Sequence, residues 1–330
     1  MTHRSNPGRL RTWRRQLAAG AALLPGTGAA AEAVARRRDR QLSERGRLID
    51  AGGYRVRVYE TGTSGPCVVI VPGAGDCAAS WIPVASQVAS FACVISYDRA
   101  GLGGSDDGPP AALDRYLTEL HSVIAQAGTD GPLILAGHSL GGLIARVYTQ
   151  EHPRQVAGLV QVDATPEAIV GDPGVKLGFL ASGMMASMFK ALAPFGFVRL
   201  LLALGKMPLY PEQSLFRAQV TDEDYRHWTA AVCRDFAGAA GAEMRSVLPA
   251  AAKAQRRRVG AVVPEFDDLP LGVLTSRAWG QKWVDMHREL ATRSRSSFHR
   301  ITGDRSHNIH MRHAALVVDS IRDVACAGKA

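Results

Sequence analysis

Leu133-Ile134-Leu135-Ala136-Gly137-His138-Ser139-Leu140-Gly141-Gly142-Leu143-Ile144-Ala145-Arg146-Val147-Tyr148 is the stretch that decides how this chain folds. A short apolar run leads into a glycine-flanked serine, and a run with helical spacing follows. Serine between near glycines at a strand-to-helix junction is pushed out of a sharp turn with its hydroxyl exposed. A side chain at Gly137 or Gly141 would meet the opposite arm of that turn. The pentapeptide alone also suits a glycine-rich turn with a capping serine. The rest of the chain has to separate the two.

Working outward, Leu48-Ile49 and Tyr54–Tyr59 flank Gly52-Gly53 and read as a hairpin. Cys67–Val71, Ala92–Tyr97, Leu133–Ala136 and Val156–Val162 read as strands. Trp81–Ser90, Asp114–Gln126 and Leu140–Glu151 between them have helical spacing. Strands alternating with helices predict an α/β fold, a mostly parallel, doubly wound sheet covered on both faces. The alternation stops over residues 164–265, where Leu177–Ala193, Phe197–Leu204 and the more polar Asp222–Ala252 predict a helical cap insertion. Met184, Met185 and Met188 there either line an adaptable apolar pocket or simply pack onto the sheet. The pattern resumes with the strand Leu269–Thr275, a helix near Lys282–Thr292, the strand Ser297–Ile301 and a closing helix, Met311–Ala325. The expected organisation is a basic tail over 1–46, a core over 47–163 and 266–330, and the cap over 164–265.

The net charge of +9 suggests nucleic acid until it is located. Residues 1–47 hold eleven arginines against Glu32, Asp39 and Glu44, so the remaining 283 residues are nearly neutral. A basic binding face, and with it a nucleic-acid partner, is not expected. Arg11, Arg14 and Arg15 precede the mildly apolar run Leu17–Ala31. That order is the pattern of an export signal, and it would also give weak membrane association. The other reading is an unstructured Arg/Ala-rich extension. Gly20, Pro25 and Gly28 interrupt the run and argue against a spanning helix. Five cysteines show no CxxC pair and no metal spacing.

Serine at neutral pH needs a base to take its proton and a third group to orient that base. In an open α/β sheet these partners belong just after the strands, at one edge. His307 lies six residues beyond Ile301, with His310 and His313 as competitors nearer the closing helix. For the orienting acid, Asp163 ends the strand next to the serine's own, and Asp285 falls inside a predicted helix. The backbone amides of Leu140 and of Ala74, in Pro72-Gly73-Ala74-Gly75, are the expected oxyanion donors.

With these residues placed, the chain resembles the α/β-hydrolase superfamily, and most closely a set of bacterial serine hydrolases. The landmarks are Gly73-Ala74-Gly75 with Trp81, Tyr97-Asp98-Arg99-Ala100-Gly101-Leu102-Gly103-Gly104-Ser105-Asp106, Gly137–Gly142, Gly158–Asp163 and Ser306-His307. The resemblance implies a Ser139–Asp163–His307 triad under a helical cap, with no cofactor or metal, acting on a small-molecule ester or amide. Two departures stand out. Pro72-Gly73 replaces the common His-Gly before the oxyanion residue, and the usual carboxylate after the seventh strand is absent. Esterase activity is the first expectation. An aminopeptidase or amidase holding a substrate amine on Glu212, Asp222 or Glu223, an acyltransferase, and a non-catalytic binding protein are the alternatives.

Overall fold

The computed structural model describes residues 26–39, 45–126, 128, 131–258 and 265–328. Arg11, Arg14, Arg15 and most of the apolar run Leu17–Ala31 lie outside them. Residues 26–39 form helix α1. Its Glu32 and Asp39 pair with Arg199 of the cap at 2.9 and 2.7 Å, so this part of the expected tail is a docked helix.

The hairpin is present as β1 (Arg47–Asp50) and β2 (Arg55–Thr61), paired antiparallel. Next come β3 (Cys67–Val71), α2 (Ile82–Val88), β4 (Cys93–Asp98), α3 (Leu113–Ala125), β5 (Leu133–His138), α4 (Leu140–Glu151) and β6 (Val156–Val162). The sheet ends with β7 (Leu271–Thr275) and β8 (Ser297–Ile301), and its order is β1-β2-β4-β3-β5-β6-β7-β8. β2 runs antiparallel to β4, and the neighbours from β4 to β8 are parallel. β3 and β5, at the centre, are buried along their whole length. Strands covered on both faces are stabilised as continuous apolar runs, which is why Cys67–Val71 reads so plainly. Val69, Val71 and Leu135 face the cluster that holds α3 and α4, while Val68, Ile70 and Ile134 face α2 and the closing helix. β7 starts two residues later than expected because Pro270 has no N–H for the ladder.

Five helices fill the insertion between β6 and β7 among the described residues. They are α5 (Pro173–Leu192), α6 (Phe197–Ala203), α7 (Gln213–Arg217), α8 (Asp222–Ala237) and α9 (Ala240–Arg257). The predicted segment Asp222–Ala252 is broken at Gly238, where an added Cβ would lie 3.0 Å from the Gly101 carbonyl. Of the three clustered methionines, Met185 packs against the cap's apolar core. Met184 and Met188 are 74% and 50% exposed, beside exposed Leu177 and Leu180 on the same face of α5. After β7, α10 (Gln281–Ala291) covers the sheet edge. The closing helix is two pieces, α11 (Ile309–Arg312) and α12 (Ala314–Ala327), parted at His313, whose ring is held by Asp304 at 2.7 Å.

Candidate active site

Ser139 sits between β5 and α4 at φ 50°, ψ −120°. A left-handed backbone at a non-glycine residue costs about 1–3 kcal/mol and persists only where surroundings hold it. Here the Ser139 amide donates to Val162 O at 3.2 Å, and its carbonyl accepts from Thr165 N at 2.9 Å. The turn is tight enough that a Cβ on Gly137 would lie 2.5 Å from Gly141 O, and one on Gly141 would lie 2.0 Å from Val71 O. The two glycines are therefore steric necessities.

The bonds that hold Ser139 go to Val162 and Thr165, on either side of Asp163, itself at φ 43° and fully buried. Asp163 Oδ2 accepts from His307 Nδ1 at 2.7 Å. Its carboxylate also accepts from Ser276 N (2.8 Å), Ser276 Oγ (2.7 Å) and Trp283 Nε1 (2.8 Å). Burial alone would raise the Asp163 carboxyl. The bond from His307, the charge of that ring and the Ser276 amide outweigh it and hold the group below the ordinary carboxylate range. In the neutral form with the proton on Nδ1 toward Asp163, the His307 ring has a bare Nε2. Asp285 is elsewhere, exposed on α10 and bonded to Gln281 and Arg288. Ser276, the first residue after β7, serves Asp163 as a donor.

The histidine loop is fastened from the cap. Buried Glu212 accepts from Ser306 Oγ at 2.6 Å and Asn308 Nδ2 at 2.9 Å, the two neighbours of His307. Of the other cap carboxylates, Asp222 pairs with Arg217 and Glu223 with Arg45. Trp279 lies edge-on to His307 at 6.2 Å and stacks on Phe179 of α5 at 5.3 Å, which brings the cap to the imidazole. His310 and His313 do not meet Asp163. His313 goes to Asp304, and His310 stacks on Trp81 at 4.5 Å.

The loop that carries Ala74 runs beside the serine that Leu140 follows: a Cβ on Gly73 would sit 3.4 Å from the Ser139 Cβ. The Pro72-Gly73 departure has a structural counterpart. Arg99, fully buried, donates to the Pro72 carbonyl at 2.6 Å and also to the Gly73 carbonyl. Its charge is met by Glu243 of α9 at 2.6 Å, which also accepts from Gly75 N at 2.9 Å. Burial would lower the Arg99 guanidinium, and Glu243 more than compensates. Nothing in the chain's local spacing signals this pair, because 144 residues separate the partners. Breaking such a buried pair leaves one charge uncompensated, at a cost of about 3–5 kcal/mol. Glu243→Ala should lose that much stability in chemical denaturation; a loss under about 1 kcal/mol would mean the pair is not what braces the loop.

Residues 68–320 match the model of a family described as the alpha/beta hydrolase family. Uncharacterized protein C23C11.06c of Schizosaccharomyces pombe is 26% identical over 220 residues, 66% of this chain and 38% of that protein. Uncharacterized protein YbdG of Bacillus subtilis is 23% identical over 201 residues, 59% of each chain. The chain thus spans less than two thirds of the length of these relatives. Among solved structures, the Cif epoxide hydrolase from Acinetobacter nosocomialis superposes with a TM-score of 0.69 at 17% identity, covering 90% of this chain and 96% of that one. A thermophilic esterase from Thermogutta terrifontis gives 0.58 at 16% identity, with 84% and 96% covered. At such identities the likeness is one of fold.

Proposed function

The chain belongs to the alpha/beta hydrolase family, and we propose that within it the protein is a serine hydrolase that cleaves a carboxylic ester of a small or moderately apolar substrate. The observation that carries this reading is the 2.7 Å bond from His307 Nδ1 to buried Asp163, whose strand end also holds the strained turn at Ser139. A base with an oriented ring, at the same sheet edge as a serine on a strained turn, is the arrangement acyl transfer requires.

In the proposed reaction Ser139 Oγ attacks the carbonyl carbon and its proton passes to His307 Nε2. The oxyanion is held by the Ala74 and Leu140 amides. His307 returns the proton to the leaving alkoxide as the C–O bond breaks, leaving an acyl-serine. Water then attacks that ester, again giving its proton to His307, and Ser139 is regenerated. Asp163 stays ionised throughout and stabilises the imidazolium. Epoxide opening on this scaffold needs an aspartate nucleophile, and position 139 is serine. An aminopeptidase reading is not favoured: Glu212, Asp222 and Glu223 are engaged by Ser306 and Asn308, Arg217 and Arg45.

A fluorophosphonate probe should label one serine per folded chain, mapped to residue 139 by peptide mass, and p-nitrophenyl esters should be hydrolysed with burst kinetics. Folded protein that takes up no probe would favour the non-catalytic binding protein instead.

A further inference from the structure

Three buried side chains next to the triad take no part in the chemistry above. They are Asp76, on the loop that carries Ala74; His138, immediately before Ser139; and His310, three residues past His307. Their exposures are 5, 3 and 0%. One potential ligand atom from each lies within 4.8 Å of the others. His310 Nε2 stands 3.5 Å from Asp76 Oδ2, yet neither ring nitrogen of His310 makes a hydrogen bond. Asp76 Oδ1 and His138 Nδ1 are also buried without a partner.

Unmet polar atoms of this kind cost about 1–3 kcal/mol each, so four in one cluster call for an explanation. The tautomer of His138 is fixed by its other nitrogen. A carbonyl can only accept, so the 3.0 Å contact between His138 Nε2 and His307 O puts the proton on Nε2. Nδ1 therefore carries a bare lone pair. Gly73 keeps the space before it clear, since a Cβ there would come within 2.6 Å of that atom. A histidine whose far N–H is held by a backbone carbonyl is the usual dress of a metal ligand. Asp76 is oriented likewise, its Oδ2 accepting from Ser80 Oγ at 2.8 Å.

We propose that Asp76, His138 and His310 bind one divalent transition-metal ion of the zinc class. Two imidazoles and one carboxylate suit such an ion, whereas magnesium and calcium select oxygen alone. Bonds of about 2.0–2.1 Å to a tetrahedral ion place ligand atoms roughly 3.3 Å apart, near the separation already present between His310 and Asp76. Sequence spacing could not show this site, because its ligands come from residues 76, 138 and 310. The ion fastens together the loops bearing the oxyanion amide, the serine and the histidine. Its role is positioning, and no step of ester cleavage passes through it.

The test uses the full, untagged chain and does not depend on any hydrolase activity. After incubation with Zn²⁺ and gel filtration, elemental analysis should find about one zinc per chain, and Tm should rise with zinc concentration. Co²⁺ in its place should give the visible absorption of a tetrahedral N/O site. Asp76→Asn and His310→Gln should each weaken zinc binding at least about 10–100-fold. His152→Gln, in the separate His121–His152 stack, should leave it unchanged. If a variant does not fold, the cobalt spectrum and zinc stoichiometry of the unaltered protein still decide. Folded protein that retains no zinc, shows no tetrahedral cobalt band, or binds equally well without His310 overturns the proposal.

Discussion

Ser139→Ala is expected to lower ester hydrolysis by about 10⁴–10⁶-fold while leaving the fold intact. On the proposed mechanism the substitution removes the acyl-enzyme route altogether. What remains is the modest acceleration that amide donors and binding give to attack by water. The substitution deletes one oxygen from a 5% exposed residue whose side chain caps no helix, so circular dichroism and thermal unfolding should match the parent. Ser139→Gly sharpens the experiment. It should be equally inactive and more stable by about 1 kcal/mol, because glycine takes the φ of 50° without strain. Steady-state kinetics and probe labelling read the outcome. A Ser139→Ala protein retaining more than about a tenth of the parent kcat would end the serine-nucleophile reading.

The second large effect separates two carboxylates. Asp163→Asn should cost about 10⁴ in kcat, since an amide can hold His307 in the wrong tautomer and cannot stabilise the imidazolium. Asp285→Asn should stay within about twofold, because that side chain touches only its own helix. The Asp163 variant carries a stability cost too. Asparagine must turn an NH₂ toward Ser276, Trp283 or His307, at about 1–3 kcal/mol, so folded fraction has to be measured beside activity. The sign with pH follows from the lowered carboxyl. Asp163 contributes stability above its ordinary value of 3.8, and this is lost as pH falls through the lower folded value. Parent and Asp163→Asn stability curves should therefore converge in acid. Equal kcat losses at positions 163 and 285, or a loss at 285 alone, would overturn the assignment of the orienting acid.

The sheet was legible because its physics is local. Val156–Val162 and Ser297–Ile301 coincide with β6 and β8, and Leu140–Glu151 with α4. Apolar runs of strand length, separated by helical periods and punctuated by glycine, leave few other architectures. The placement of Ser139, Asp163 and His307 after strands, and the bond between the last two, were legible for a related reason: strand ends share one edge. Trp283, Ser276, Arg99 with Glu243, and Glu212 were not legible. Their contacts join elements 94 to 144 residues apart, and no periodicity along the chain encodes them. The methionine cluster failed differently. Helical phase puts Met184 and Met188 on one face, but the sequence alone does not say whether that face meets protein or solvent.

Glu212 has a consequence for anyone who would graft a different cap between β6 and β7. Such insertions look exchangeable, entering and leaving the sheet at adjacent strands. Here the incoming segment must bring its own clasp for Ser306 and Asn308. Without one, Ser306 and Asn308 lose that shared acceptor on either side of His307, and in the proposed triad a displacement near 1 Å is enough to cost about a hundredfold in rate. Under the proposed function, one carboxylate then ties the cap to the base, so swapping the module would disturb turnover along with specificity.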